Sequence, residues 1–124
     1  IQGMRHLHAL DILHLDLKAS NVLIGDDDKL VLADFGQSKM LNDEGVVELG
    51  NIYPAMRPPE ALKDKLGDKT TDIYQFGVLL YSMFNYDIYR KEIEENYSLD
   101  TPNLIKAFKE HDADTKEICK SGFT

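Results

Sequence analysis

Two short apolar runs joined by an acidic turn constrain this chain more than any other feature. Residues 22–24 read Val-Leu-Ile, residues 30–32 read Leu-Val-Leu, and the residues between them begin Gly-Asp-Asp-Asp. Aliphatic and β-branched runs separated by turn-forming residues are typical of a β-hairpin. Because a hairpin reverses the chain, we expect it to bring the polar segment 14–21 close to Asp34.

Helical patterns flank this hairpin. Apolar residues recur at helical spacing over about 1–12, which predicts an amphipathic helix. Because that pattern is already under way at Ile1, we expect the sequence to be a fragment. Residues 71–84 form the strongest helical pattern and are apolar on most faces, so we expect a buried central helix. Three residues qualify as its N-cap, namely Thr70, Thr71 and Asp72.

The remaining segments give weaker signals. Residues 34–59 show no sustained period, and we interpret them as a long functional loop. A proline opens a predicted short helix at 59–63, and Pro102 opens a predicted helix at about 102–110.

Composition narrows the function classes. The chain has 124 residues, which suits one domain, and a formal net charge of -8, which argues against binding to nucleic acid or to anionic membranes. No apolar run approaches the roughly 20 residues of a membrane span. The single cysteine, Cys119, cannot form an internal disulfide, so we expect a reducing compartment and a cytoplasmic location.

Four side chains near the predicted hairpin have the chemistry that phosphoryl transfer needs. Such a reaction uses metal ions to neutralise phosphate oxygens, a carboxylate to take the acceptor proton, and a cation near the transferred group. Asp16 is a carboxylate, Lys18 is a cation, and Asn21 and Asp34 offer the oxygen ligands that Mg²⁺ accepts. Each residue alone is weak evidence, since an exposed aspartate is usually a solvated surface group.

Together these residues resemble the protein kinase signature. The segment 14–21 reads His-Leu-Asp-Leu-Lys-Ala-Ser-Asn and 34–36 reads Asp-Phe-Gly, similar to the family's His-Arg-Asp-Leu-x-x-x-Asn and Asp-Phe-Gly. Downstream, 57–60 reads Arg-Pro-Pro-Glu, similar to Ala-Pro-Glu, and 72–77 reads Asp-Ile-Tyr-Gln-Phe-Gly, similar to Asp-x-Tyr-Ser-Phe-Gly. The resemblance covers residues 1 to about 84.

This resemblance implies an α+β fold, namely the mainly α-helical C-terminal lobe of a protein kinase with a short β-hairpin and without the N-terminal lobe. Residues 1–124 would form a partial kinase domain, with a catalytic loop at 14–21 and an activation segment at 34–60. The implied reaction is ATP-dependent phosphorylation of a protein hydroxyl. A lysine two residues after the catalytic aspartate, here Lys18, is typical of serine/threonine kinases.

The resemblance also implies a role for each site residue. Asp16 would be the catalytic base, and Lys18 would lie near the transferred phosphoryl group and the nucleotide. Asn21 and Asp34 would bind Mg²⁺ and, through it, ATP. Three further residues would have structural roles: His14 and Phe35 would pack behind the site, and Asp72 would accept hydrogen bonds from the catalytic-loop backbone.

The chain departs from the kinase pattern in three places. Leu15 replaces the arginine that in the family pairs with an activation-loop phosphate, so the resemblance implies a kinase of the non-RD type. Residues 39–52 contain no hydroxyl side chain. We therefore expect no switching by phosphorylation of this loop. Asn51 stands where a threonine is usual, which affects peptide recognition. The sequence also contains no Gly-rich phosphate loop or strand lysine, so an N-lobe or a partner would have to complete the ATP site, and we expect this fragment alone to be inactive.

Two other functions remain open from the sequence. A small-molecule phosphotransferase has the same arrangement of a catalytic aspartate with a metal-binding asparagine and aspartate, but it usually lacks a lysine at the position of Lys18. A pseudokinase or truncated kinase acting as an interaction module is favoured by Leu15. The sequence argues against two possible metal sites. In a calcium-binding loop at Asp26–Asp28, Leu30 and Val31 would stand where a ligand and a glycine are needed, and His6 and His8 do not share a helix face on which to bind a metal together.

The kinase resemblance also implies that Glu60 is a member of a structural ion pair.

Overall fold

The computed structural model describes residues 1–50, 52, 54–85, 102, 103, 106, 109 and 110. Two α-helices have bounds within the described residues, α1 (Gln2–Ala9) and α2 (Lys69–Phe84). The strands are short: β1 (Ile12–Leu13), β2 (Val22–Ile24), β3 (Leu30–Leu32), β4 (Lys39–Met40), β5 (Val47–Glu48) and β6 (Leu66–Gly67). This mixture of helices and small sheets confirms the predicted α+β class in its coarse form. Neither helix is long and apolar enough to cross a membrane.

The predicted hairpin is present. β2 and β3 pair antiparallel, with Val22 opposite Leu32 and Ile24 opposite Leu30. A 3-10 turn at Asp26–Asp28 joins the strands. Two aspartates of this turn have positive φ angles, which aspartate tolerates better than branched residues do. The acidic run is therefore turn chemistry, as the sequence predicts.

The first helix is shorter than predicted. α1 ends at Ala9, and Asp11 follows with a φ of 56°. That left-handed residue redirects the chain into β1, so Ile12 belongs to a strand and not to the helix. Ile12 continues the helical spacing of apolar residues in the sequence, but the left-handed backbone at Asp11 prevents the helix from extending to it.

The interpretation of 34–59 as one long loop is wrong in part. β4 pairs antiparallel with β1, and β5 pairs antiparallel with β6. Strands of two residues are too short to produce an alternating pattern, and their partners are distant in the sequence, so the period test misses them. The short helix predicted at 59–63 is confirmed as a 3-10 turn at Pro59–Ala61. Within the helix predicted at 102–110, the five described residues are helical and exposed, and the others lie outside the described residues.

The N-cap of α2 differs from all three candidates. Asp68 caps the helix by accepting a hydrogen bond from the Thr70 amide at 2.8 Å. In return the Asp68 amide donates to the Thr71 hydroxyl at 3.1 Å, which completes a capping box. The helix therefore starts at Lys69, two residues before the predicted start.

The expectation that α2 is buried on most faces is also wrong for the described residues. Its buried side chains are largely polar, namely Thr71, Asp72, Gln75 and Ser82, with Val78 and Leu79. Four apolar side chains are exposed: Ile73, Leu80, Met83 and Phe84. Two of these polar side chains, Asp72 and Gln75, face inward because they bond to the backbone of the 14–21 loop, as described next.

Candidate active site

α2 anchors the 14–21 loop through one buried carboxylate. Asp72 is fully buried and accepts hydrogen bonds from the backbone amides of His14 and Leu15, each at 2.9 Å. His8 of α1 also bonds to Asp72, with 2.8 Å between its Nε2 and Oδ2 of the carboxylate. A buried carboxylate is costly unless it is hydrogen-bonded, and these three contacts compensate it. The predicted contact between Asp72 and the loop backbone is thus observed.

The loop brings three of the four predicted site residues together. Asn21 is buried, and its Nδ2 donates to the Asp16 carbonyl at 2.8 Å and to Asp16 Oδ2 at 2.9 Å. Lys18 Nζ lies 3.8 Å from the other carboxylate oxygen, Oδ1. The side chains of Asp16 and Lys18 are 21% and 35% exposed, so this carboxylate is accessible to a molecule outside the loop. A fixed, accessible carboxylate beside a cation is suited to accepting a proton from a bound hydroxyl.

His14 links the loop to the end of the hairpin. Its ring is fully buried, with Nδ1 accepting from the Asp16 amide at 3.2 Å and Nε2 lying 2.9 Å from the Ala33 carbonyl oxygen. The neutral tautomer with its proton on Nε2 satisfies both contacts. The His14 and Phe35 rings are 5.3 Å apart between centroids and tilted by 59°. The two residues do pack together as predicted, although Phe35 is half exposed.

The fourth predicted residue, Asp34, lies at the end of the hairpin. The Ala33 amide donates to the Asn21 carbonyl at 2.8 Å, so Asp34 follows the residue that pairs with Asn21. The hairpin therefore returns the chain to the loop, as the sequence predicts. Asp34 itself has a φ of 57°, and its Oδ1 accepts a hydrogen bond from the Gly36 amide at 3.2 Å. The chain turns again at Gly36, where the Ser38 amide donates to the Phe35 carbonyl at 3.0 Å.

The backbone at Leu15 is strained. Its φ is 67°, an uncommon value for a branched side chain, which costs of order 1–3 kcal/mol. Such a conformation persists only where the surroundings impose it. Here the Leu15 amide is bonded to Asp72 and its side chain is only 2% exposed. The loop is therefore held in its shape by its contacts with α2 and with the core.

Leu15 belongs to an apolar cluster that includes the 34–60 segment. The buried members are Leu13, Leu15, Val47, Leu49 and Ala61, and Leu41 and Ile52 pack against them. Val47 and Leu49 come from the middle of the segment, so the residue that replaces the usual arginine contacts the segment by apolar packing. This apolar cluster, which we call the latch, packs the middle of the 34–60 segment against Leu13 and Leu15.

Polar contacts reinforce the same segment. Lys39 Nζ donates to the Glu48 carbonyl at 2.8 Å, and Arg57 Nη2 donates to the Gly50 carbonyl at 3.2 Å. Both cations therefore bind backbone oxygens of the segment. Glu60 is exposed, and the ion pairs found among the described residues do not include it. Asn51 and Tyr53 lie outside the described residues, as does Cys119.

Sequence reasoning missed one polar residue of this region. Gln75 is fully buried on α2 and bonds to the loop backbone on both sides of Asp16. The available signal was its position in the 72–77 motif, where glutamine stands in place of the usual serine. Among the described residues, no three histidine, cysteine or acidic side chains cluster as a metal site.

Comparison with known proteins identifies the family. The protein kinase domain family matches residues 1–121. The rat proto-oncogene serine/threonine-protein kinase mos is 36% identical over 92 residues, covering 71% of this chain and 27% of the relative.

Two further relatives extend the range of organisms. Mitogen-activated protein kinase kinase kinase 13-A of Xenopus laevis is 34% identical over 94 residues, covering 76% of this chain and 10% of the relative. Dual specificity protein kinase pyk3 of Dictyostelium discoideum is 34% identical over 82 residues, covering 66% of this chain and 6% of the relative. The chain thus spans a small part of each of these relatives. With the family match extending over nearly all of its length, the chain belongs to the protein kinase family.

Proposed function

We propose that these residues form the C-terminal lobe of a protein kinase that transfers the γ-phosphoryl group of ATP to a serine or threonine hydroxyl of a protein. One observation carries the proposal: Asp16 is held by two hydrogen bonds from Asn21 and lies 3.8 Å from Lys18, on a loop anchored to α2. Membership of the kinase family supports the reaction class. Lys18 and the similarity to the rat serine/threonine-protein kinase mos support the acceptor class.

In this proposal each residue of the loop has a distinct task. The Asp16 carboxylate accepts the proton of the acceptor hydroxyl as the oxygen attacks phosphorus. Asn21 fixes the rotamer of that carboxylate through its bond to Oδ2. Lys18 places a positive charge beside Oδ1 and near the phosphoryl oxygens, where it offsets negative charge.

Asn21 and Asp34 are suited to holding Mg²⁺. Both Asn21 bonds to Asp16 use Nδ2, which leaves the amide oxygen as the ligand atom, and Asp34 is exposed at the end of the hairpin. Oxygen ligands of this kind suit Mg²⁺, which keeps several waters and binds phosphates through one or two protein groups. When bound, the ion neutralises charge on the nucleotide phosphates.

Catalysis also requires groups that this sequence does not contain. A Gly-rich loop and a strand lysine close over ATP in kinases, and these residues come from the N-terminal lobe. We expect the 124 residues alone to lack turnover, because they cannot enclose the nucleotide and exclude water from it. The active unit in this proposal contains an N-lobe, and its partner is a protein substrate. A cytoplasmic location stays a prediction.

We also propose that the 34–60 segment is ordered without phosphorylation. Leu15 cannot pair with a phosphate, but it packs with Val47 and Leu49 in the apolar latch. The Lys39 ammonium is bonded to the Glu48 carbonyl, so it already stabilises the segment. Phosphatase treatment of the full protein should leave its activity unchanged; a large loss of activity on removal of phosphate from this segment would refute the idea.

A second candidate function is that of an interaction module without catalysis. The observation in its favour is the exposed apolar surface of the hairpin, where Leu23, Ile24, Leu30 and Val31 are 54%, 74%, 69% and 49% exposed. Such a surface is available to another domain or to a partner. The ordered contacts of Asp16 with Asn21 and Lys18 favour catalysis, since a pure binding module has no need of them.

A transfer assay separates the two functions. The full protein is incubated with Mg²⁺ and γ-labelled ATP and with peptides that contain serine, threonine or tyrosine as the only hydroxyl. We expect label on serine or threonine. Label on tyrosine alone would refute the acceptor class, and nucleotide binding without label on any peptide would favour the interaction module.

A further inference from the structure

Gln75 is an unusual residue for its place in the motif. It lies one turn after Asp72 on α2, where the kinase pattern has a serine. Its side chain is fully buried, although glutamine is mostly an exposed residue. A buried amide is retained at low cost only where its donors and acceptor are satisfied, so its contacts indicate its role.

Two of the three hydrogen bonds of the Gln75 amide go to the backbone around the proposed active site. Its Oε1 accepts from the Leu17 amide at 3.1 Å, and its Nε2 donates to the Leu15 carbonyl at 3.2 Å. Leu15 and Leu17 are the two neighbours of Asp16 in the chain. The amide group therefore bridges the backbone on both sides of the proposed base.

The third bond reaches a different segment. Gln75 Nε2 also donates to the Met56 carbonyl at 3.3 Å. Met56 is buried in the 3-10 turn at Pro54–Met56, near the end of the 34–60 segment. Nearby, the Tyr74 hydroxyl donates to the Ala55 carbonyl at 2.8 Å. One side chain thus joins the 14–21 loop to the segment that is expected to bind the acceptor peptide.

The strain at Leu15 explains why such a bridge is useful. Asp72 fixes the amides before Asp16, but the carbonyl of Leu15 and the amide of Leu17 need a separate partner. With a φ of 67°, Leu15 would relax toward a more favourable conformation if these groups were released, and Asp16 would move with it. A serine ends one bond beyond Cβ and cannot reach three groups that the longer glutamine amide contacts together.

We propose that Gln75 is a positioning residue that fixes the Asp16 carboxylate relative to the 34–60 segment. This inference rests on the proposed kinase function. Gln75 acts through the backbone and does not touch the reacting atoms. Its loss is therefore expected to lower kcat, because misplacement of a catalytic group by about 1 Å costs up to about 100-fold. Nucleotide affinity is expected to change little, since the bridge does not include Asn21 or Asp34.

The test uses two substitutions and a matched control in the full protein. Gln75→Met keeps the length of the side chain without its hydrogen bonds, and Gln75→Ser introduces the residue of the family pattern. Val78→Ala is the control, because Val78 is buried on the same helix and is not in the proposed site. We measure kcat, the KM for ATP, the unfolding temperature, and hydrogen exchange of a peptide covering residues 14–18.

We expect both Gln75 variants to lose about 10- to 100-fold in kcat, with the KM for ATP within about twofold, and to exchange faster at 14–18. Val78→Ala should lower the unfolding temperature while keeping kcat. If Gln75→Met does not fold, the kcat of Gln75→Ser tests the inference, because serine is the residue of the family pattern and is expected to be compatible with the fold. A folded variant with wild-type kcat would overturn the inference and leave the kinase function intact. An inactive wild-type protein would overturn both.

Discussion

Replacement of Asp72 by alanine is the perturbation whose cost follows most directly from the structure. The carboxylate is fully buried and accepts bonds from the amides of His14 and Leu15, and it also bonds to His8. Alanine leaves both backbone donors buried and unsatisfied. Each such donor costs about 1–3 kcal/mol, so the two together cost about 2–6 kcal/mol.

Two further effects act in opposite directions. Removal of a buried charge recovers part of its desolvation cost, whereas loss of the side chain leaves a cavity. We therefore expect the free energy of unfolding to fall by about 3 kcal/mol, a large fraction of the 5–15 kcal/mol typical of a domain. Because the loop loses its anchor, hydrogen exchange at residues 14–17 should rise as well.

Urea denaturation of the full protein, followed at the transition of the kinase domain, measures this change. Asp43→Ala is the matched control, since Asp43 is an exposed aspartate and should be neutral within about 0.5 kcal/mol. A loss below about 1 kcal/mol for Asp72→Ala, with unchanged exchange in the loop, would refute the reasoning.

Three further predictions concern the metal site, the latch and one close contact. Asp34→Asn should weaken Mg²⁺-dependent nucleotide binding by about tenfold or more, measured at limiting Mg²⁺, because a charge-assisted contact is worth about 1.5–3 kcal/mol. Leu15→Arg should speed proteolysis within residues 42–48 by about tenfold or more, because an unpaired charge in the latch costs several kcal/mol. Gly67→Ala should destabilise the domain by about 1–3 kcal/mol in urea denaturation, because a Cβ there would lie 2.5 Å from Leu49 Cδ2. Gly77→Ala should not destabilise it, because no described residue outside its own helix places an atom within 4 Å of the new Cβ.

Each of these predictions has a contradicting outcome. Leu10→Arg makes the same change as Leu15→Arg at a side chain that is 55% exposed, so it should leave proteolysis unchanged. Equal cleavage of both variants would argue against the latch. Nucleotide affinity that is unaltered in Asp34→Asn would argue against Asp34 as a ligand. Equal stability of the two glycine variants would show that the close contact at Gly67 relaxes without cost.

The hairpin and the residues it brings together are the features that the sequence predicts best. β2 and β3 are strongly apolar and the acidic turn between them has one simple explanation, so local chemistry alone is sufficient. The return of the chain beside Asn21 then follows from the geometry of a hairpin. The prediction that Asp72 anchors the 14–21 loop rests on the family motif, because no local sequence pattern links residues 58 positions apart.

The features that were missed depend on contacts distant in the sequence or on single backbone angles. β5, in the 34–60 segment, pairs with β6, which lies beyond the end of that segment, and strands of two residues leave no periodic signal. α1 ends because Asp11 adopts a left-handed conformation, and the neighbouring sequence does not predict that conformation. The polar buried face of α2 was missed because hydropathy assigns glutamine to the surface, whereas Gln75 is buried by its bonds to the loop backbone.

The turnover of an Asp16→Ala variant tests the central claim most directly. In the full protein, phosphoryl transfer to a serine or threonine peptide is compared among wild type, Asp16→Ala and the control Asp26→Ala, an exposed aspartate outside the 14–21 loop and the 34–60 segment. We expect Asp16→Ala to lose turnover by about 100-fold or more, as for a general base, while nucleotide affinity stays within about twofold. The control should retain full turnover. Unchanged turnover in Asp16→Ala would contradict the assignment of Asp16 as the base, and with it the proposed mechanism.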